Sequence, residues 1–297
     1  MKILNLDVLC VGHACYDLIF GVARHVGEDE KSVATSFNGC GGGPASNAAV
    51  AAARLGVRAG FAGYLGNDTF GEKHYSELRH TGVITDLIVR GKAPTPLSIV
   101  LVKPDGNRAL VNYRGDTAPL PANAINFDRC IPRLILFDGH EPELSLPLAK
   151  RAGRHDIPTI LDAGSVHDGT RALIHDMTYL IASEKFARDY TGLAEMDQAL
   201  DQLSQKVDSV VVTLGHCGLI WQNRSGKGRQ PAFPVKAVDT TGAGDTFHGA
   251  FAAGLAKGMD WEMLLKYASA AAALCVTRLG ARSGIPARAE VEKMLDG

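Results

Sequence analysis

Short, uninterrupted apolar runs punctuate this chain, each closed by glycine or a charged residue. Asp7-Val8-Leu9-Cys10-Val11-Gly12 is the first, and a run of this kind suits a strand covered on both faces. From about residue 133 the pattern becomes regular: strands are predicted at 134–137, 159–161, 178–181, 207–214 and 218–222, with a helix reaching to about 155 between the first two. Two long Ala-rich helices, 243–257 and 261–278, close the chain. Between residues 17 and 37 the pattern changes to β-prone pieces, 18–22 and 32–37, separated by a charged loop. Two more, 97–102 and 109–113, flank the turn Pro104-Asp105-Gly106-Asn107 and read as a hairpin. These four pieces predict a small separate sheet. The expected fold class is α/β, with one domain over 1–297, a mainly parallel central sheet, and a β-sheet lid formed by insertions at about 14–38 and 92–114.

Composition narrows the function. The chain has 297 residues, 46% hydrophobic but only 6% aromatic, which fits a helix-covered parallel sheet better than an aromatic-rich sandwich. A net charge of −1 offers no broad field to hold a nucleic acid. No run of about 18 uncharged apolar residues is present, and the amino-terminal apolar run is too short for a signal peptide, so no membrane partner and a cytoplasmic location are expected. The six cysteines are scattered without a C-x-x-C pair, as in a protein that keeps its thiols reduced.

The chemistry concentrates in Asp239-Thr240-Thr241-Gly242-Ala243-Gly244-Asp245-Thr246-Phe247, immediately before a long helix. A glycine-rich turn there presents backbone N–H groups at a helix amino end, where an anion is stabilised and a phosphate can approach closely. A carboxylate at such an end repels its ligand unless it has a task, and Asp245 is placed to take the proton of an attacking hydroxyl. The plainer alternative is that Asp245 complements the helix dipole, a contribution of about 0.3–1 kcal/mol. A second glycine-rich segment, Gly39-Cys40-Gly41-Gly42-Gly43-Pro44-Ala45-Ser46-Asn47, also runs into an Ala-rich helix but carries no lysine. It reads as a loop closing on a neutral polyol, with Asn47 offering donor and acceptor, or, more plainly, as a helix capped by Ser46. Neither loop carries G-x-G-x-x-G, and the nearest P-loop match, 66–71, continues with Glu72 where lysine is required.

The Asp239 to Phe247 segment resembles the carboxyl-terminal signature of the ribokinase (PfkB) family of carbohydrate kinases. Gly42-Gly43 through Asn47 with Ala51-Ala52-Ala53-Arg54-Leu55-Gly56 is similar to its amino-terminal signature, and Gly63-Tyr64-Leu65-Gly66-Asn67-Asp68-Thr69-Phe70-Gly71 to its next block. The resemblance implies a ribokinase-like three-layer core with a lid, ATP as donor, Mg²⁺ with the phosphates and a sugar between lid and core. It implies Asp245 as catalytic base, Gly242, Ala243 and Gly244 as the anion hole, and Asp17, Gly42, Gly43 and Asn47 as sugar-binding positions. Thr213, Gly215 and Gly218, with Gly242 and Gly244, match ATP-binding positions. Asp239 and Thr241 match positions of a monovalent-cation site, from which K⁺ activation is expected.

One departure from the family stands out: where many members carry Asn-x-x-Glu, this chain has Ser183-Glu184-Lys185-Phe186. Ketohexokinase-like members share that departure, and the tail 277–286 with Gln230-Pro231-Ala232-Phe233 and Phe247-His248-Gly249-Ala250 is similar to sulfofructose kinase, so a fructose-like ketose is expected. A sulfosugar would require a directed cation, and Asp138-Gly139-His140-Glu141 stands where the sulfofructose kinases supply arginine; Arg108 and Arg114 remain as anion partners. A ribokinase-type pentose kinase, a nucleoside kinase and a non-catalytic sugar sensor are the alternatives, and a homodimer through the lid is a further expectation.

Overall fold

The computed structural model describes residues 3–296. Its strands are β1 (Leu4–Val11), β2 (Cys15–Gly21), β3 (Ser36–Gly42), β4 (Ala59–Gly66), β5 (Ile84–Gly91), β6 (Leu97–Val102), β7 (Arg108–Tyr113), β8 (Cys130–Phe137), β9 (Thr159–Ala163), β10 (Tyr179–Ser183), β11 (Ser209–Thr213), β12 (Leu219–Asn223) and β13 (Gly226–Gln230). The helices are α1 (Pro44–Arg54), α2 (Thr69–His80), α3 (Pro142–Arg154), α4 (Asp168–Leu173), α5 (Glu184–Thr191), α6 (Met196–Ser204), α7 (Ala243–Ala256), α8 (Trp261–Cys275), α9 (Ala281–Gly284) and α10 (Arg288–Asp296).

Nine strands form the large sheet in the order β13-β12-β11-β10-β9-β8-β1-β4-β5. All its pairings from β11 to β5 are parallel, and only the β11–β12 and β12–β13 pairings are antiparallel. The apolar runs read from the sequence explain why: the central strands bury both faces. Val8, Cys10, Leu134 and Leu136 pack under α1, α7 and α8, while Leu9, Val11, Ile135 and Phe137 pack under α3, α5 and α6. The Ala-rich segment after Asn47 lets two helices approach. A Cβ on Gly249 of α7 would lie 2.4 Å from the Ala48 carbonyl oxygen and 2.6 Å from the Ala51 Cβ of α1.

The other four strands form a separate sheet in the order β3-β2-β6-β7. This is the small sheet expected from the sequence, with one correction. The glycines at 39–42 read as loop, yet they are the second half of β3, paired antiparallel with Cys15–Leu18, while the β-prone piece 32–37 joins the strand only at Ser36. Glycine fits because neighbouring side chains occupy the space its own would take: a Cβ on Gly41 would lie 2.3 Å from His74, and one on Gly42 2.2 Å from the Asp17 carboxylate. Helix α1 starts one residue after Gly43, whose φ is 100° and on which a Cβ would lie 2.5 Å from the His13 carbonyl oxygen.

Candidate active site

Two helix amino ends, α1 and α7, meet where β1, β8 and the small sheet converge. Gly242, in the left-handed region at φ 76°, is the N-cap of α7, so the first turn is Ala243-Gly244-Asp245. Asp245 accepts a 2.7 Å hydrogen bond from Asn47 Nδ2 of α1. Burial pushes the Asp245 carboxyl above its usual range, while the Asn47 donor and the nearby His248 draw it back. Asn47 is buried, and among the described residues its Oδ1 has no hydrogen-bond partner. Asp17 of β2 lies over Gly42; burial pushes its carboxyl up, while Cys15, which donates to it at 3.2 Å, and Arg282 pull it down. The structure brings Asp17, Gly42, Gly43, Asn47 and Asp245 together.

On the other side of the α7 amino end, a cleft of about 450 Å³ is lined by Thr213, Gly215, Gly218, Phe233, Gly244 and Phe247, among others. Thr213 ends β11, and Gly215 and Gly218 bracket the turn into β12. The cleft is mostly apolar and opens onto backbone N–H groups, the surroundings that suit an aromatic base attached to phosphates. Asp239, 1% exposed, ties the turn together: its carboxylate accepts from Thr241 N at 2.9 Å, Thr241 Oγ1 at 2.7 Å and Gly280 N at 2.8 Å. Arg108, in β7 of the small sheet, donates to Thr241 Oγ1 at 2.7 Å, so that sheet touches the turn that opens α7 directly.

Sequence reasoning missed several groups. Asp138, at the end of β8, is buried, and its carboxylate accepts from the backbone N–H of His13 at 2.8 Å, Ala45 at 3.1 Å and His140 at 2.9 Å. It therefore pins the start of α1. A Cβ on Gly12 would lie 1.9 Å from Asp138 Oδ1, so the glycine closing the first apolar run was the available signal. Beside this carboxylate, His140 stacks on His167 with centroids 4.5 Å apart, and a cavity of about 30 Å³ is lined by His13, Arg114, His140 and Glu141. Asp162, next to last in β9, lies 3.4 Å from His248 and keeps one oxygen without a hydrogen bond. Arg282 of α9 is also buried, beside His74 and Ser46.

The Ser183–Phe186 departure is resolved structurally. Ser183 caps α5, Phe186 is in the core, and Glu184 pairs with Arg188 on the surface. The third resembling block is a clasp: Asp68 caps α2 through Gly71 N at 2.7 Å and holds Thr95 by its N at 2.7 Å and its hydroxyl at 2.8 Å. Among the described residues no helix is long and apolar enough to cross a membrane.

Comparison with known proteins agrees with this arrangement. Residues 5–288 match the pfkB family carbohydrate kinases. The ribokinase of Bacillus subtilis strain 168 is 33% identical over 97% of this chain and 99% of its own. Fructokinase-1 of Zea mays is 31% identical over 89% and 90%, respectively. The structure of Arabidopsis thaliana ribokinase complexed with ribose and ATP superposes with a TM-score of 0.85, at 27% identity and over the whole of both chains. The chain belongs to the pfkB family of carbohydrate kinases, phosphotransferases that act on a hydroxyl of a sugar.

Proposed function

We propose that this chain transfers the γ-phosphoryl group of ATP to a hydroxyl of a small ketose of the fructose type. The observation that carries the reading is the Asn47–Asp245 hydrogen bond beside the Gly242–Gly244 turn, which sets an amide, a carboxylate and a helix amino end at one point. Asp17 and Asn47 hold the sugar hydroxyls. Asp245 removes the proton from the accepting hydroxyl, and the N–H groups of Gly242, Ala243 and Gly244 stabilise the charge that moves onto the transferring oxygens. A raised carboxyl suits a base working near neutral pH.

The apolar cleft beside Thr213, Gly215 and Gly218 fits the base of ATP, the nucleotide bound in the Arabidopsis ribokinase complex. Mg²⁺ would neutralise phosphate charge and is expected to take most of its ligands from phosphate and water, because Phe186 is buried where many members carry a glutamate. The Asp239–Thr241–Gly280 clasp is the segment where K⁺ would act, by stiffening the turn that carries the N–H groups. The small sheet is the lid. Its outward residues Phe37, Ile99, Val111 and Tyr113 are exposed, and a second copy of the chain would cover them.

A ketose is favoured by the Ser183–Phe186 segment and by the resemblance to fructokinases; the ribokinase relatives make a pentose the second reading. The cavity holding Arg114, His13 and His140 favours a third, a sugar with an anionic substituent, although Glu141 lines the same space. ATP turnover measured against ribose, fructose, nucleosides and sulfosugars separates them. Turnover with none of these would overturn the assignment, and turnover confined to ribose would remove the ketose.

A further inference from the structure

Arg282 is 7% exposed, and only one end of its guanidinium is in use. Nη2 lies 3.1 Å from His74 Nε2 and 3.4 Å from Ser46 Oγ, whereas Nε and Nη1 have no hydrogen-bond partner. A cation in such a place costs several kcal/mol unless its charge is compensated. His74 cannot compensate it, since burial and Arg282 itself hold the imidazole well below its usual range, leaving a neutral acceptor. The charges that favour Arg282 are Glu77 and Asp17. Glu77 is already engaged by Gly41 N at 2.7 Å.

The side chain reaches this position because α9 is clamped from behind. Gly280 N donates to Asp239, and the backbone of Ala281 leaves so little room that a Cβ on Gly242 would meet it at 3.0 Å. From that anchor Arg282 extends under β3, where Asp17 pairs in register with Cys40.

We propose that Arg282 is a positioning residue for the sugar, a fixed buried cation behind the glycine strand that keeps Asp17 a two-oxygen acceptor for substrate hydroxyls. This rests on Asp17 being a sugar ligand. The groups around Asp17 explain why a cation is needed. Burial and Asp245 of α7 push its carboxyl toward the protonated form, Glu77 of α2 adds no favourable charge, and Cys40 of β3 is a thiol. Cys15 donates one hydrogen bond to it, and Arg282 is a cation that draws it down. A protonated Asp17 would lose one acceptor and turn a donor toward hydroxyls that also donate.

The test titrates fructose and ribose into the full chain, by calorimetry and by turnover, from about pH 5 to 9. Arg282→Met should weaken sugar binding by about 30-fold or more, raise KM for the sugar more than it lowers kcat, and move the acid limb of binding up by about one pH unit. Arg282→Lys should restore much of both, a rescue that a purely structural role would not give. In an Asp17→Asn background Arg282→Met should cost little further, because there is no carboxylate to hold ionised. An Arg282→Met chain that binds sugar as the wild type does over the whole pH range overturns the proposal, as does an equal loss with and without Asp17. If Arg282→Met does not fold, Arg282→Gln reads the same limb. A wild-type chain that binds neither sugar overturns the assigned substrate instead, so the two failures are distinct.

Discussion

Asn47 and Asp245, 198 positions apart in sequence, are joined by a 2.7 Å hydrogen bond from amide to carboxylate that ties the amino end of α1 to that of α7. Both helices present N–H groups to the same point, so the amide is the fixed neighbour that aims the carboxylate. Asp245→Asn should lower kcat by about 10²–10⁴-fold while sugar binding persists. The wild-type pH profile follows from the sign of the shift: Asp245 is raised, so its basic form, and with it kcat, is lost as pH falls through a value above the ordinary aspartate range. An acid limb at the ordinary aspartate value, or a near-active Asn variant, would contradict the base assignment.

The two glycines of the anion turn separate stability from chemistry. A Cβ on Gly242 would lie 2.5 Å from that of Ala281 at a φ of 76°, whereas one on Gly244 meets nothing within 4 Å. Gly242→Ala should therefore lower Tm, by strain and collision together. Gly244→Val should fold with little change in Tm yet lose most of kcat, because its side chain fills the space the phosphoryl group needs. Thermal melting beside a turnover assay distinguishes the two, and full activity in Gly244→Val would remove the turn from the mechanism.

The glycine turn that opens α7 and the large sheet were legible in the sequence because local signals define them. A run such as Val8–Val11 has to be buried on both faces, and glycines before an Ala-rich helix announce an anion-binding end. The glycine strand misled for a physical reason. Gly39–Gly42 have no strand propensity of their own, and they are held extended by pairing with β2 and by the bulk of Tyr16, His74 and Asp17 beside them. Asp138 and Arg282 were invisible as partners, since each acts on residues tens or hundreds of positions away.

Glu141 offers a stability test that is independent of catalysis. Burial pushes its carboxyl from 4.5 up to about 7, although Leu120 N donates to it at 2.5 Å. The sign is that of a raised acid: its favourable contribution is complete below about pH 4.5 and is lost as pH rises through about 7, as much as about 3 kcal/mol. Glu141→Gln keeps an acceptor for Leu120 N and cannot ionise. It should raise Tm relative to wild type at about pH 8, with the difference vanishing toward about pH 4. Parallel melting curves for the two chains over that range would refute the buried-acid account.

The outward face of the small sheet predicts assembly. Ile99 and Val111 are cross-strand partners, 39% and 63% exposed, with Tyr113 and Phe37 on the same exposed surface. Val111→Glu would place a charge in the middle of any face shared by two copies. Sedimentation should show a dimer for wild type and a monomer for the variant, and a wild-type monomer at all concentrations would exclude the shared face.

Arg108 connects that sheet to the chemistry. Its Nη1 donates to Thr241 Oγ1 at 2.7 Å from a side chain otherwise exposed, so the contact bridges β7 and the turn that opens α7. Thr241 also donates to Asp239, and Arg108 is among the charges that draw the Asp245 carboxyl down. If the sheet closes over bound sugar, Arg108 brings a cation to the edge of the anion-binding turn as it shuts, and water is excluded as charge moves. Arg108→Ala should lower kcat by about 10-fold or more, shift the acid limb of kcat upward, and leave Tm nearly unchanged, since an exposed pair contributes little to stability. Arg108→Lys, which keeps charge but loses the planar fork, should fall between the two. Small-angle scattering with and without sugar provides the structural arm: wild type should contract on binding, and Arg108→Ala should contract less. A variant with normal kcat and normal contraction would reduce Arg108 to a surface contact and leave the small sheet without a connection to phosphoryl transfer.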